Sequence, residues 1–571
     1  MKKTILSSFI VYLITVSLSQ ITYGQTGSWI WAKQSTSTTS GGGEGTSCAT
    51  DASGNLYGTG HYGGTTTFGS FTITGSTWDV FLVKYSSTGV VLWVRSAGGS
   101  GSDLGNSVAT DASGNIYVTG YFTSPTIVFG STTLTNSGGK DVFIVKYSPT
   151  GNVLWAISFG GVGDDEGNSI TTDASNNVCL TGYFYSPTII LGADTLTNTS
   201  TSGAYCDLFV VKYSSSGTPI WAKSAGGTSY DIANSIATDH STNDVYITGK
   251  YTSIHPVFGT DTLSNYGGYD MFIAKYSSLG AFVWVNRAGN SYYDEGTDVA
   301  IDNSGPSSGS VYVTGSFVSN TIIFGTDTLI NVDGYLPPMA SHHNDVFVVK
   351  YSLNGTVIFA KKYGGASIDK GYSIATDAAG FYLSGQFDYD NIIFDTDTLF
   401  QPAVSFHPLF LVKFDFNGNV ICASEVASGL DEQSDVMTSD IFGNAYVYSE
   451  FGWITPFMIG GTSLIQTLGT EELFAAKYNC SSSTVYTTEI FIQSSLQLFP
   501  NPATSSLTIQ TEKLKLKELL IYNVLGELVQ QSSVSNHPSS VTLDISGLKT
   551  GMYFIETTTE TGIVRSKFIK Q

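Results

Sequence analysis

From about residue 27 to residue 480 the apolar positions fall in short alternating runs separated by Gly, Asn and Ser. Ser107 to Asp111, Ile116 to Phe122, Val142 to Ser148 and Val153 to Ser158 show one such set. Each run has the period of a strand with two unlike faces. Turns such as Asp111-Ala-Ser-Gly-Asn115 supply residue types that tolerate positive φ and close a hairpin. The helical period of 3.6 is absent from the region, so the pattern predicts four strands per unit and no helices.

The unit recurs. Phe81 to Tyr85 (FLVKY) returns at Phe143, Phe209, Phe272, Phe347, Phe410 and Phe474, with spacings of 62, 66, 63, 75, 63 and 64 residues. A second marker, Ala-Thr-Asp or a near variant, ends at Asp51, Asp111, Asp173, Asp239, Asp302, Asp377 and Asp440. Four-stranded units repeated without helices predict a β-propeller of seven blades. The surplus over a familiar propeller repeat lies around Phe129-Gly130 and its equivalents, where a small extra hairpin is expected. Trp31-Ala32 matches Trp93-Val94 and Trp155-Ala156, so an orphan fourth strand precedes the first full set. It is expected to complete the last blade and close the ring, which removes exposed strand edges. Tyr486 offers a competing fourth strand, but its turn lacks the recurrent Gly.

These residues carry a resemblance. The sequence ATDxSGNxYxTG, then FG, then DxFxxKY is similar to the bacterial β-propeller repeat family SBBP over roughly residues 27 to 480. That family implies an architecture and no single chemistry. Beyond a Ser/Thr-rich linker the composition changes, and residues 496–571 form a separate small β-sandwich. Its landmarks are Phe499-Pro500-Asn501-Pro502, the run from Leu520 to Gly526, Gly551-Met-Tyr553-Phe, and Lys567-Phe-Ile-Lys570. Together they resemble the type A sorting domain of the type IX secretion system. The resemblance implies handling by that machinery, with Pro500, Asn501, Pro502, Gly526, Gly551, Tyr553, Lys567 and Lys570 as the sorting motif. An ordinary immunoglobulin-like module is the alternative.

The N-terminus agrees with export. Lys2 and Lys3 precede the largely apolar run Ile5 to Leu18, then Thr22, Tyr23 and Gly24, as in a secretory signal peptide cleaved before Gln25. The run is shorter than a bilayer span, so no transmembrane segment is expected in the mature chain. The expected layout is therefore signal peptide 1–24, propeller 25–480, linker 481–495 and sorting domain 496–571, with the protein secreted or attached to the outer-membrane surface. The formal net charge of −21 makes nucleic acid and anionic lipid poor partners. The five Cys are an odd number, so no complete disulfide framework is possible. Cys179 replaces a repeat Tyr and Cys422 a repeat Trp, and both read as core-filling.

Candidate chemistry is weighed against recurrence, because a catalytic site breaks a repeat. The seven marker Lys and seven marker Asp are read as turn bonds and ion pairs. A second acidic series lies eight residues before each marker Asp: Asp103, Asp165, Asp231, Asp294, Asp369 and Glu432, with Glu44 one residue out of frame. At the entrance of the innermost strands these carboxylates would ring a channel mouth and hold Ca²⁺, which favours several oxygen ligands. The preferred alternative is that each caps its own Gly-rich turn. The insertion Asn331 to Asp345, with His342 and His343, is the largest departure from symmetry and offers a metal or partner contact. Asp194-Thr195-Leu196 and the matching triplets at Thr262, Thr328 and Thr398 resemble a bacterial O-glycosylation acceptor. No cofactor motif, zinc-binding helix or serine nucleophile elbow is present in the sequence. The expected function is a non-enzymatic exported scaffold that binds a surface glycan or protein. The alternative is a carbohydrate-active hydrolase or lyase using channel-mouth acids.

Overall fold

The alternating runs become strands in the computed structural model. It describes residues 27–480 except 39–41, 201–202, 304–308, 332–342, 389–390, 396, 401–406, 428–435, 452–456, 460 and 467–471. It further describes 497–571 except 511–517, 524–527, 534–539 and 560–561. The chain divides into two compact units, Met1–Ser482 and Ser483–Gln571. The leader, the linker and the competing strand at Tyr486 lie outside the described residues.

Among the described residues the first unit is all β. Six antiparallel sheets each take four strands in chain order, as in Asp165–Thr172, Val178–Phe184, Asp207–Tyr213 and Pro219–Ala225. The third strand carries the FxxKY marker, FLVKF in the sixth sheet, and in the sheet above it is buried along its length from Asp207 to Tyr213. The surplus between second and third strands forms the expected hairpins, such as Thr126–Phe129 with Thr132–Thr135. Alternation decides their faces: Ile127, Phe129 and Leu134 are buried while Val128 is exposed. The last set of markers behaves differently. Val436–Ser439, Asn444–Phe451 and Glu472–Asn479 take their fourth strand from Ser28–Ser37, with Ala32 opposite Ala476 and Gln34 opposite Phe474.

Consecutive sheets are joined by two recurrent contacts, and a third recurs within sheets. A hydroxyl or amide at the end of each first strand donates to the matching carbonyl one repeat earlier. Thr110 Oγ1 reaches Thr50 O at 2.7 Å, and Thr172 and Thr238 reach Thr110 O and Thr172 O at 2.8 Å. Ile301 has no hydroxyl, and Asn303 Nδ2 takes over the bond to Thr238 O at 3.1 Å. Thr376 to Ile301 O, Ser439 to Thr376 O and Thr50 to Ser439 O follow, each at 2.8 Å.

The second contact is a clamp. In five of the seven fourth strands a Trp donates its indole N–H to the carbonyl two residues beyond the marker Tyr of the next repeat, while the fifth sheet carries Phe359 at that position. Trp31 reaches Ser87 O at 3.1 Å, Trp93 Pro149 O at 3.3 Å, Trp155 Ser215 O at 3.1 Å, Trp221 Ser278 O at 3.1 Å and Trp284 Leu353 O at 3.2 Å. At the sixth position Cys422 replaces the Trp and is bonded to Cys480, which stands at the carbonyl position. The reading of Cys422 as a mere core filler is thus corrected: a disulfide substitutes for the indole bond. Cys48, Cys179 and Cys206 are free and buried.

The third contact is electrostatic. Six of the seven marker Asp accept backbone N–H groups of their own turns, as Asp51 Oδ1 does from Ser53 at 2.9 Å and Asn55 at 3.0 Å, and the turn after Asp302 lies outside the described residues. Marker Lys residues approach these carboxylates: Lys84 lies 3.7 Å from Asp51, Lys146 3.8 Å from Asp111 and Lys477 3.4 Å from Asp440. In those repeats a Tyr hydroxyl also bonds the Asp, as Tyr57 does at 3.0 Å. Where Cys179 replaces the Tyr, Lys212 closes to 2.8 Å from Asp173.

The second unit packs a three-stranded sheet, Gln497–Phe499, Ser506–Gln510 and Ser540–Asp544, with a four-stranded one built from Glu518–Asn523, Leu528–Ser533, Gly551–Thr559 and Gly562–Lys570. Leu507, Ile509, Leu519, Ile521, Tyr553, Ile555 and Phe568 form its core.

Candidate functional site

The acidic series sits at the first residue of each first strand, where the chain leaves a Gly-containing turn. Asp103, Asp165, Asp231 and Asp294 are fully buried and Asp369 is 2 % exposed. Each is held by donors. Asp165 Oδ2 accepts from Ser186 Oγ at 2.7 Å and from Gly161 N at 2.8 Å, and its Oδ1 accepts from Ser186 N at 3.1 Å. Asp103 bonds Ser124 Oγ at 2.6 Å, Asp294 bonds Ser319 Oγ at 2.7 Å, and Asp369 accepts from Gly365 N at 2.7 Å. The bonds from Gly161 and Gly365 cap the turn before the strand, and the Ser bonds tie the acid to the loop after the second strand. The series is not drawn together into one cluster; among the described residues no three His, Cys, Asp or Glu converge as metal ligands. Glu432 and His342 lie outside the described residues. Gly43, not Glu44, occupies the Asp103 position, since Gly43 pairs with Tyr62 as Asp103 does with Phe122.

Each acid instead meets a second carboxylate, that of the residue opening the third strand of the preceding sheet. The pairs are Asp79 with Asp103, Asp141 with Asp165, Asp207 with Asp231, Asp270 with Asp294 and Asp345 with Asp369. A bare glycine α-carbon separates them. A methyl group built on Gly160 would lie 2.2 Å from Asp141 Oδ1 and 3.1 Å from Asp165 Oδ2; on Gly226 it would lie 2.4 Å from Asp207 Oδ1 and 2.9 Å from Asp231 Oδ2. The partner acid was legible as the residue two before each marker Phe, but it reads there as part of the strand marker. Burial, reinforced by the neighbouring charge, pushes Asp231 up to about 7 and Asp79 up to about 6. Asp270 is raised to about 7, by burial first and by Asp294 in addition.

Two sheets supply a cation to their pair. The residue opposite the marker Phe is Arg287 in the fourth sheet and Lys362 in the fifth. Arg287 Nη1 lies 3.7 Å from Asp270 Oδ2, and Lys362 Nζ 2.5 Å from Asp345 Oδ2. In the third sheet the same position is Ser224, opposite Phe209. There a cavity of about 700 Å³ opens between the third and fourth sheets, lined by Thr199, Asp207, Ser224, Gly226, Gly227 and His255 among others.

The glycosylation triplets fall on the second strand of the hairpins. Thr195, Thr262 and Thr328 are exposed and Thr398 half-buried. Asp194 Oδ2 meanwhile accepts from Ala222 N at 2.8 Å, so the acid of that triplet also holds the hairpin to its sheet.

In the second unit the sorting-motif residues lie along the last strand and its neighbours. Asn501 Oδ1 accepts from Ile569 N at 2.9 Å, and Pro500 and Pro502 flank it. Tyr553 stacks on Phe568 at 5.6 Å and donates to Lys549 O at 2.9 Å. Gly551 pairs with Lys570, which is buried, and Lys567 is exposed. Gly526 lies outside the described residues.

Residues 497–571 match the profile of the secretion system C-terminal sorting domain, and residues 92–121 match the β-propeller repeat profile SBBP. The chain carries SBBP propeller repeats and a type IX sorting domain. The sorting domain marks the protein for handling by the type IX secretion machinery and for export to the cell surface or the medium. Among curated proteins, an uncharacterised WD repeat-containing protein of Acanthamoeba polyphaga mimivirus is 25% identical over 477 residues, covering 69% of this chain and 34% of the relative. The regulatory protein FlaEY of Caulobacter vibrioides is 25% identical over 242 residues, covering 39% of this chain and 24% of its own. The chain thus spans about a third or less of the length of these relatives. Among solved structures, a protein of unknown function from Dyadobacter fermentans has a TM-score of 0.34 at 8% identity, covering 65% of this chain and 93% of that one. A lignostilbene dioxygenase from Pseudomonas brassicacearum has a TM-score of 0.32 at 11% identity, covering 78% and 94%. Among the described residues no helix is long and apolar enough to cross a membrane.

Proposed function

We propose that the mature protein is a closed seven-bladed propeller that binds a surface glycan or protein and is delivered by its C-terminal domain. The proposed layout is a leader of residues 1–24, a propeller of 25–480, a linker of 481–495 and a sorting domain of 496–571. Closure is supported by the pairing of Ser28–Ser37 with Glu472–Asn479 and by the bond from Thr50 to Ser439 O. The binding role rests on one observation: the acids that recur in the repeats are capped by backbone and Ser donors, so they act in the scaffold. What varies between repeats is the surface between hairpins, and a rigid frame with variable edges suits recognition.

The test is a glycan array and a Ca²⁺ titration on the purified protein, with product analysis of any glycan retained. Binding without product is expected. Product formation would overturn the reading in favour of a hydrolase or lyase. Delivery is tested separately by deleting residues 497–571, which is expected to leave the protein in the periplasm. Appearance of the deleted form at the cell surface would refute the assigned role of the tail.

A further inference from the structure

The residue that bulges from a first strand ties it to the next sheet. Asn106 Nδ2 donates to Gly167 O at 3.1 Å, Asn168 Nδ2 to Ala233 O and Asn234 Nδ2 to Gly296 O at 2.9 Å, and Thr297 Oγ1 to Gly371 O at 2.7 Å. In the sixth sheet the bulge residue is Tyr372, whose hydroxyl turns to Gln386 of its own sheet. There a cavity of about 250 Å³ opens with no aliphatic side chain in its wall. The fourth sheet gives Asn234 and Lys250, the fifth Glu295 and Ser316 beside Thr297, and the sixth Lys370 and Tyr372. An earlier repeat shows what is unused here. Glu166 is filled: Lys140 and Tyr183 donate to its Oε2 at 2.9 and 2.7 Å, and Asn106 to its Oε1 at 3.0 Å. Glu295 holds the same position, but it pairs with Ser316 where Glu166 pairs with Tyr183. Among the described residues it accepts only from Lys250, through Oε2 at 2.6 Å. Lys370 again holds that position, and of the seven repeats only this one has a cation there. Among the described residues its side chain makes no hydrogen bond or ion pair; its charge is felt by Asp388, which His407 already bonds at 2.6 Å. Lys250 and Glu295 neutralise each other, so Lys370 gives the cavity one net positive charge on a chain of net charge −21. Beside Lys250 stand two aromatic rings: its Nζ lies 4.8 Å from the centre of Tyr269, and Tyr293, 47% exposed, packs on Tyr269 at 5.3 Å.

We propose that this cavity binds a uronic acid unit of a saccharide. The inference rests on the reading of the protein as a binder and names one ligand chemistry for it. Sugar hydroxyls donate and accept at once, which matches Glu295 Oε1 and Asn234 Oδ1 as acceptors and the two ammonium groups as donors. The sugar carboxylate answers Lys370 in a charge-assisted bond. The volume falls just below the roughly 300–1,000 Å³ of sites for drug-sized ligands, which limits the enclosed part to about one ring. Tyr293 offers an apolar ring face to the C–H groups of a neighbouring sugar unit. A bare anion fits less well, because it would face Glu295, and an apolar peptide side chain finds no apolar wall.

The experiment is isothermal titration of the full chain with trimers of galacturonate and of glucuronate, each beside its methyl ester, which keeps the skeleton and removes the charge. Saturable binding of at least one acid near or below roughly 1 mM is expected, at least roughly tenfold tighter than its ester. Lys370→Gln is expected to remove that preference and Lys370→Arg to keep it. Both should melt with the parent, because the Lys370 side chain holds no bond in the fold. Failure of both acids to bind, equal binding of acid and ester, or a preference that survives in folded Lys370→Gln overturns the proposal. Acetate or the peptide acetyl-Gly-Glu-Gly-amide binding as tightly as the trimer would also overturn it, in favour of a simple anion or of a protein partner. A neutral glycan retained on the array while both acids fail would discard this cavity and leave the wider binding role standing.

Discussion

Lys212 and Asp173 form a buried version of a contact that recurs between marker residues. In three sister repeats a Tyr hydroxyl also bonds the marker Asp; here Cys179 occupies the Tyr position, and Lys212 lies 2.8 Å from Asp173. With both partners buried, removing one leaves an uncompensated charge, which costs about 3–5 kcal/mol. Lys212→Ala is therefore expected to lose about that much in urea unfolding, and a loss below about 1 kcal/mol would count against the pair. Asp231 yields a pH prediction. Its carboxyl rises in the fold to about 7, by burial first and then by its neighbours, Asp207 among them. A folded-state value above the unfolded one means that the native state holds its proton longer. The associated stability is complete below about pH 4 and is lost as pH rises through 7. Cys206, pushed up to about 12 by burial, and the Tyr251 hydroxyl, also raised, stay protonated across that window, while Asp207 is raised in the same sense as Asp231. The Asp231→Asn variant should gain melting temperature relative to the parent on going from pH 5 to pH 8; a constant difference would show that Asp231 does not titrate there. The seven Lys and Asp markers were legible because they recur. The acid pairing was not, because its members lie in consecutive sheets and one of them is written into the strand marker.

At the scale of elements, the sixth and seventh sheets show what periodicity can hide. The strand Val420–Ala427 was legible as a fourth strand, and Cys422 as its Trp equivalent. That Cys480 would face it follows only once the Trp is known to reach two residues past the next marker Tyr, a distance fixed by how sheets stack. The bond closes a loop with a sequence separation of 58, whose cross-linking contributes about 3–4 kcal/mol by limiting the unfolded chain. The Cys422→Ser, Cys480→Ser double variant should lose stability of that order. Cys422→Trp with Cys480→Ser should recover part of it by restoring the indole bond to a backbone carbonyl, worth about 1 kcal/mol. Denaturant midpoints of the three proteins, compared without reductant, decide the matter: equal midpoints would mean that the disulfide adds nothing to the clamp it replaces. The extra hairpins were legible from the surplus length of each unit around Phe129-Gly130 and its equivalents, since that surplus lies between two strands of one repeat.

For the repeat region as a whole, the decisive element is the strand Ser28–Ser37, remote in sequence from its partner and next to it in space. Its fourth-strand character was legible because Trp31-Ala32 copies a repeat dipeptide. Register could not be read, because the bulge between Trp29 and Trp31 arises only on pairing. A sheet assembled from both ends of the region makes its completion a late and non-local event, since the two strands meet only when the intervening chain is in place. Without that strand Glu472–Asn479 would present an unpaired edge, and Trp31 would no longer clamp Ser87. Deleting residues 28–37 should therefore do two things at once. The melting temperature should fall, and the protein should self-associate through the open edge, visible as a larger species in size-exclusion chromatography coupled to light scattering. Adding the synthetic peptide Ser28–Ser37 in excess should reverse both effects by supplying the missing strand. A deleted protein that stays monomeric with an unchanged melting temperature would show that the terminal strand is an accessory, and the proposed closure would fall with it.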